Sequence, residues 1–300
     1  MLDVRRLRLL RELAHRGTIA AVAEALAYTP SAVSQQLSAL EREAGTALLA
    51  RSGRRVELTP AAHGLVAHAE AVLARLELAE ADLAAGRAGP AGPLRIGAFP
   101  SAARAVVPAA LAALAGAHPA LEPRLHELDP AAVAGALRAG DVEVALVHDY
   151  DFVPVPVETG VETVALFEEV MFLAAPHTFT PLPGEPHPLR RWRAAPWIVA
   201  PADTRCGTMT VRACEAAGFT PDARHVMDDF PAVLALVAIG GGVALVPQLG
   251  ATAPEADVVL TPLPMHRRTM AAHRRGAAGN PAIAAFVDAM RAAAARITSG

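Results

Sequence analysis

Residues 18–40 constrain this 300-residue chain most strongly, because they encode two short amphipathic helices separated by a tight turn. In the first helix, Ile19 and Val22 recur at the spacing of one apolar face. The second begins at Thr29-Pro30, where a hydroxyl can cap the helix and the missing proline N–H is not needed. The segment therefore predicts a helix-turn-helix pair.

The two faces of the second helix differ in chemistry. Val33 and Leu37 lie on an apolar face. The opposite face carries uncharged polar side chains: Ser31, Ser34, Gln35 and Ser38. Because such groups can hydrogen-bond to base edges and phosphates, these residues, with Thr29 and Pro30, are candidate DNA contacts. The alternative is an exposed serine face on an ordinary helical bundle.

A basic turn follows this pair. Ser52-Gly53 predicts the turn, and Arg51, Arg54 and Arg55 place three positive charges around it. A hairpin of this kind beside a reading helix can neutralise phosphates and enter the minor groove; the alternative is a charged surface turn. The formal charge is +3 for residues 1–60 and −6 for the remainder, as in a DNA-binding head on an acidic body.

A long helix is predicted over residues 60–85, where Leu65, Val72 and Leu76 belong to a repeat that steps by four and three. This spacing predicts a dimerisation helix, with packing against the helix's own domain as the alternative. Residues 86–93 contain three glycines and two prolines and are interpreted as a hinge.

Residues 1–85 resemble the winged helix-turn-helix and linker helix of LysR-type transcriptional regulators. The resemblance is carried by an ordered run of positions: Ala32, Val33, Ser34, Gln35, Gln36, Leu37, Leu40, Glu41, Gly45, Leu48, Leu49 and Arg51. Val22, Leu49 and Ala62-His63 depart from the family pattern without touching the reading face. The predicted divisions are a DNA-binding domain at 1–59, a linker helix at 60–85, a hinge at 86–93 and an effector domain at 94–300.

Strand-like and helical segments alternate after the hinge, which predicts α/β units with mainly parallel strands. Crossings near residues 161–175 and 269–273 divide this part into one lobe of 94–161 and 269–300 and a second of 162–268. Such a body resembles the family's effector domain, which is similar to periplasmic solute-binding proteins. The predicted fold is thus mixed, with an all-α winged head and linker helix before a two-lobed α/β effector domain.

Ligands of such sheets bind at the carboxyl ends of strands. Residues at strand ends or helix starts are therefore candidate effector contacts: Ser101, Ala102, Asp129, His148, Thr204, Cys206, Asp229 and Phe230. The resemblance implies that Ser101 occupies a principal effector position. The alternatives are helix capping by Ser101, Asp129 and Asp229, and an ordinary strand-end role for His148.

No catalytic residue, metal site or cofactor is predicted. Asp228-Asp229 are adjacent and would point apart on a strand, and the glycines at 240–242 lack the lysine of a phosphate loop. Cys206 and Cys214 have no metal-ligand spacing and are interpreted as reduced core thiols.

The charged N-terminus and the interrupted apolar stretches predict a cytoplasmic protein without a membrane span. The predicted partners are double-stranded promoter DNA, an effector of unknown identity and a second copy of the chain. Analogy with the family adds a tetramer, and RNA polymerase is a further candidate partner. The alternative is a solute-binding protein without a role in gene regulation.

Overall fold

The computed structural model describes residues 1–52, 55–86, 89–154, 156–251 and 257–298, with backbone alone for 51, 52, 55, 297 and 298. Within these ranges the helices are α1 (Val4–Arg16), α2 (Ile19–Ala25), α3 (Pro30–Ala44), α4 (Pro60–Ala85), α5 (Pro100–Ala105), α6 (Val107–Ala117), α7 (Val133–Ala139), α8 (Arg205–Ala216), α9 (Phe230–Ala238) and α10 (Pro281–Thr298). The strands are β1 (Leu49–Ser52), β2 (Arg55–Leu58), β3 (Gly92–Ala98), β4 (Leu121–Glu127), β5 (Val144–Tyr150), β6 (Val161–Pro176), β7 (Pro196–Val199), β8 (Asp222–Val226), β9 (Ala244–Pro247) and β10 (Val258–Arg274). This arrangement confirms the predicted mixed fold class.

Helices α1, α2 and α3 pack together as an N-terminal head. The Thr18 hydroxyl accepts from the Ala21 N–H at 3.1 Å, and the Thr29 hydroxyl accepts from the Ala32 N–H at 3.2 Å. Both hydroxyls therefore cap helices where the sequence predicts. All three helices contribute to the buried apolar core: Leu10, Val22, Val33, Leu37 and Leu40.

A two-stranded hairpin follows α3. Strands β1 and β2 are antiparallel, with Leu49 opposite Leu58, and residues 53–54 between them lie outside the described part. The Glu41 side chain of α3 accepts hydrogen bonds from the backbone N–H groups of Leu48 and Leu49, each at 3.0 Å. The start of the hairpin is thereby held against α3.

The apolar repeat of α4, which we call the seam, lies in two different environments. Ala69 is fully buried against the head, and Leu65 packs at the edge of the same core. Further along, Val72, Leu76 and Leu83 are 40%, 43% and 73% exposed. The second half of the seam is therefore an uncovered apolar edge in the single chain.

The body contains a six-stranded sheet in the order β4-β3-β5-β10-β6-β9. Strands β3, β4 and β5 are parallel, and β10 is antiparallel to both β5 and β6. The return crossing is longer than the predicted residues 269–273, because β10 already begins at Val258. Pro262 and Pro264 hide the start of this strand in the sequence, because proline lacks the backbone N–H that a strand donates. The pairing of β10 with β6 is irregular between Pro262 and His266, and the missing donors are tolerated there.

Two of the buried cores of the body correspond to its two lobes. Phe286 of α10 and Ile96 of β3 belong to the first-lobe core, while Trp197 of β7 and Met209 of α8 belong to the second. Two separate helices, α5 and α6, follow β3, and a proline in the first turn marks the start of each. No helix in the described ranges is both long and apolar enough to cross a membrane.

The head contacts the body through α1 and α7. Arg8, Arg11 and Arg16 donate to main-chain carbonyls of α7; the distance from Arg11 Nη2 to the Arg138 oxygen is 3.2 Å. Fully buried Glu12 accepts from Arg11 at 2.8 Å and from Arg16 at 2.9 Å. Cations are favourable at the carboxyl end of a helix, so these contacts dock the head against the body.

Candidate nucleic-acid interface and effector cavity

Helix α3 presents the predicted polar face to solvent. Ser31, Ser34, Gln35 and Ser38 are all exposed, opposite the buried side chains that anchor the helix. In the described part of the chain, Gln35 has no hydrogen-bond partner, so both ends of its amide are free to meet a base edge. Thr29 is exposed as well, and its hydroxyl is engaged as the helix cap.

Two further side chains lie beside this polar face. Gln36 is adjacent to Gln35, but its Oε1 accepts from Arg6 Nε at 2.9 Å and is thereby held against α1. Tyr28 is 50% exposed immediately before the start of α3, a position that sequence reasoning missed. A tyrosine in the turn between the two predicted helices was the only signal in the sequence.

DNA contact by the three arginines of the hairpin, which is the predicted wing, remains a prediction. Arg54 lies outside the described residues, and the side chains of Arg51 and Arg55 are likewise not described. Their backbones belong to β1 and β2, which places them on the hairpin that Glu41 ties to α3.

A cavity of about 500 Å³ lies between the two lobes, at the carboxyl ends of β3, β4 and β5. Seven of the eight candidate effector residues border it: Ser101, Asp129, His148, Thr204, Cys206, Asp229 and Phe230. Ala102 does not border this cavity, because its side chain is fully buried in the first-lobe core, where α5 packs on the sheet; its contact with an effector stays a prediction. An adjoining cavity of about 550 Å³ shares His148 and Arg205 with the first.

A buried ion pair that sequence reasoning missed forms the base of the cavity. Arg267 Nε donates to Glu169 Oε1 at 2.7 Å, and Arg267 Nη2 donates to Ser101 Oγ at 3.1 Å. The other Glu169 oxygen accepts from the Leu249 N–H at 2.7 Å. Because Ser101 accepts from Arg267, its own hydroxyl hydrogen remains available to a ligand.

The signal for this pair was present in the sequence but weak. Arg267 on β10 stands directly opposite Glu169 on β6, and opposite charges on paired strands attract. The register that brings them together follows from the pairing of the two long strands, which the sequence did not specify.

His148 borders the same cavity and is 7% exposed. Its ring contacts Phe99 and Tyr150 edge to face, with centroid distances of 4.7 and 5.1 Å. Burial, together with the charge of Arg267, holds the pKa of His148 well below its ordinary value, so the imidazole is neutral at pH 7. Its Nδ1 is buried and has no hydrogen-bond partner in the described part.

The second-lobe wall begins with α8. Thr204 Oγ1 accepts from the Gly207 N–H at 3.0 Å and donates to the Pro201 carbonyl at 2.7 Å. Thr204 thus borders the cavity while its hydroxyl hydrogen is already used. Arg205, also missed from the sequence, donates to the His148 carbonyl at 3.0 Å and so links α8 to β5.

The mouth of the cavity carries exposed carboxylates from both lobes. We call this set the acidic rim: Glu127, Asp129, Asp203, Asp228 and Asp229. Asp129 accepts from the Ala131 N–H at 2.7 Å, and Asp229 accepts from the Ala232 N–H at 3.2 Å. Asp229 therefore caps α9, whereas Asp129 holds the turn before α7, whose N-cap is Ala132; both also border the cavity.

The two cysteines are free and buried, as expected from their spacing. Burial, with the nearby Asp228 charge, raises the pKa of the Cys206 thiol to about 11, and burial with Glu215 raises that of Cys214 to about 12. No cluster of three or more metal-ligating side chains occurs in the ranges that the structure describes.

Two family models match this chain over its head and its body. The model described as bacterial regulatory helix-turn-helix protein, lysR family, matches residues 4–63, and the LysR substrate binding domain matches residues 87–295. The chain belongs to the LysR family. It is a LysR-type transcriptional regulator with a helix-turn-helix and a substrate-binding domain.

Curated members of the LysR family are similar over most of the chain. The transcriptional regulator TfdS of Cupriavidus pinatubonensis is 30% identical over 257 residues, 82% of each chain. A probable hydrogen peroxide-inducible genes activator of Mycobacterium xenopi is 38% identical over 192 residues, covering 63% of this chain and 94% of the relative.

Solved LysR-family structures share the fold. A Corynebacterium glutamicum OxyR C206 mutant has a TM-score of 0.61 and 21% identity, over 100% of this chain and 93% of the other. The LysR-family regulator CbnR has a TM-score of 0.55 and 24% identity, over 97% and 100%; CbnR has also been solved with its target DNA.

Proposed function

We propose that this LysR-family protein binds a two-fold related promoter site through α3 and the hairpin and responds to a small molecule in the cavity. The observation that carries the proposal is the exposed polar face of α3, where Gln35 has no partner in the described residues. The helix-turn-helix match favours this function over that of a solute-binding protein.

Two copies of the chain read two half-sites in this proposal. The uncovered apolar edge at Val72, Leu76 and Leu83 supports dimerisation through α4, because a partner helix would remove it from water. A tetramer and contact with RNA polymerase extend the proposal by analogy with the family. The regulator acts in the cytoplasm, where promoter DNA is found, and has no enzymatic role.

A gel-shift titration against the DNA upstream of its own gene tests the function, with competitor DNA and a salt series. Gln35→Ala should change sequence preference, by about 1–3 kcal/mol at one base pair. Arg54→Ala should weaken binding to all sequences and lower the salt slope by about one. Arg224→Ala, an exposed arginine in the second lobe, is the control and should change neither property.

The proposal requires saturable, sequence-selective and salt-dependent binding. Equal, uniform losses for Gln35→Ala and Arg54→Ala would contradict the division between reading helix and wing. The absence of selective binding at this and other promoters would contradict the regulatory function itself.

A peroxide response is a second candidate, because Cys206 borders the cavity and a relative is named as a peroxide-inducible genes activator. At a thiol pKa of about 11, only about one thiol in ten thousand is ionised at pH 7, and the thiolate is the reactive form. Reversible ligand binding is therefore the favoured mode. A change in DNA binding by hydrogen peroxide that Cys206→Ser abolishes would reverse this preference.

A further inference from the structure

The acidic rim is unusual because most of its charge is uncompensated. In the described part of the chain, Arg104 lies 3.6 Å from Asp229 in an exposed pair. Within the same part, no ion-pair partner is found for the remaining rim carboxylates: Glu127, Asp129, Asp203 and Asp228. The mouth of the cavity is therefore strongly negative.

The other basic side chains of the cavity make no ion pair with a rim carboxylate in the described ranges. Arg267 is paired with Glu169, and the pair is neutral as a unit. Arg205 is directed away from the rim carboxylates, since it donates to the carbonyls of His148 and Val153 at 3.0 and 2.9 Å.

The carboxylates of the two lobes also repel one another. Partial burial raises the pKa of Asp228, and the negative charges of Asp129, Asp203 and Asp229 raise it further. Asp129 follows β4 in the first lobe, whereas Asp228 follows β8 in the second. A positive charge between them would relieve repulsion across the cavity.

An independent observation at the base of the cavity indicates a ligand. His148 is buried, its Nδ1 lacks a hydrogen-bond partner in the described part, and its ring is neutral. Burying such an atom without a partner is unfavourable, so a ligand group that bonded to it would be favoured. Ser101 offers a hydroxyl hydrogen nearby, and the surrounding aromatic rings belong to Phe99, Tyr150 and Phe230.

We propose that the cavity binds a small organic cation, with its ammonium group between the acidic rim carboxylates of both lobes and a neutral polar group at His148 and Ser101. An organic amine is favoured over a metal ion because no metal-ligating cluster occurs in the described ranges. The proposal rests on the proposed function, in which this cavity holds the effector.

Thermal unfolding of the full chain with matched probes tests the charge of the ligand. The probes are the linear amino alcohols from 3-aminopropanol to 6-aminohexanol, with the diols and hydroxy acids of the same lengths. At least one amino alcohol should raise Tm at concentrations on the order of 10 mM, with smaller or no shifts for its neutral and anionic counterparts. The shift should diminish as salt screens the rim.

Substitutions in the acidic rim test whether the amine binds there. Asp228→Asn should weaken the apparent affinity for the amine about fivefold, and the Asp203→Asn, Asp228→Asn double variant should weaken it further. Asp222→Asn is the matched control, because Asp222 is exposed on β8 outside the cavity. Its response should equal that of the unaltered chain.

Stabilisation by hydroxy acids equal to that by amino alcohols would overturn the proposal, as would the absence of stabilisation by every amino alcohol. An undiminished response in the double variant would overturn it as well. Gel shifts on the same preparation separate the two proposals: selective DNA binding without an amine response contradicts the cation proposal alone, whereas lost selectivity contradicts the proposed function.

Discussion

Arg267 and Glu169 form the most consequential single contact in the body. Both side chains are almost completely buried, at 1% and 2% exposure, and their hydrogen bonds reach Ser101 at the cavity base. A buried pair of this kind is a weak source of stability as a unit, but removing one partner leaves an uncompensated charge in the core.

We expect Glu169→Gln to lower the free energy of unfolding by about 3–5 kcal/mol, because Arg267 would lose its counter-charge. Urea unfolding followed by circular dichroism measures the change. Glu168→Gln is the control, since Glu168 is the exposed neighbour on the same strand, and it should change stability by less than about 0.5 kcal/mol. Similar effects of the two substitutions would show that burial of this pair is unimportant.

His148 gives the stability a defined dependence on pH. Its folded pKa is depressed, so above about pH 6.5, the unfolded value, both states are neutral and the residue contributes no slope. As pH falls below that value, the unfolded state takes up a proton first, and stability decreases by up to about 1.4 kcal/mol per pH unit until the folded pKa is reached.

His148→Gln should remove this acid-side slope between pH 6.5 and 5. Urea unfolding at several pH values provides the measurement, and His63→Gln on the exposed face of α4 is the control. A slope as steep in the His148 variant as in the unaltered chain would contradict the depressed pKa of this imidazole.

At the scale of elements, local signals were sufficient for the head. Thr18, Thr29 and Thr59 each precede a helix and accept a hydrogen bond from its first turn, so helix starts could be read from neighbouring residues. Long-range pairing was not accessible in this way. The extent of β10 and the meeting of Arg267 with Glu169 depend on a register between strands nearly a hundred residues apart, and no local pattern encodes it.

The cavity shows the same difference between what local patterns predict and what long-range contacts decide. Seven candidate effector residues border one cavity because strand ends converge in an α/β sheet, a rule of topology; their contact with an effector stays a prediction. Ala102 lies apart from the other seven because one residue along a short helix separates the cavity-facing Ser101 side chain from a core-facing one. The acidic rim was missed because Glu127, Asp203 and Asp228 are far apart in the sequence and border one cavity only in the folded chain.

The exposed seam of α4 leads to a prediction about dimerisation. Leu76→Glu should weaken the proposed dimer at least about tenfold, because a carboxylate would replace an apolar side chain in the helix seam. Sedimentation equilibrium measures this change. Ala71→Glu, exposed on the same helix outside the seam, should leave the association unchanged; equal dissociation of both variants would place the interface elsewhere.

At the scale of the whole molecule, the docking of α1 on α7 can be tested directly. Arg11→Ala removes hydrogen bonds to Glu12 and to the Arg138 carbonyl and should reduce amide protection in α1 and α7 by about 1–3 kcal/mol. Hydrogen exchange with mass spectrometry measures that loss. Arg5→Ala on the exposed side of α1 is the control, and unchanged protection in the Arg11 variant would contradict the docking described here.

Helix α7 touches both functional regions of the chain. Pro130 and Ala131, just before its start, border the cavity, and the carbonyls of its last turn receive the arginines of α1. Its seven residues span only about 10 Å, too short a distance to absorb a displacement by bending. In the proposed function, α7 would couple ligand binding in the cavity to promoter binding by the head, and such coupling is reciprocal: the factor by which a ligand changes affinity for DNA is the factor by which DNA changes affinity for the ligand.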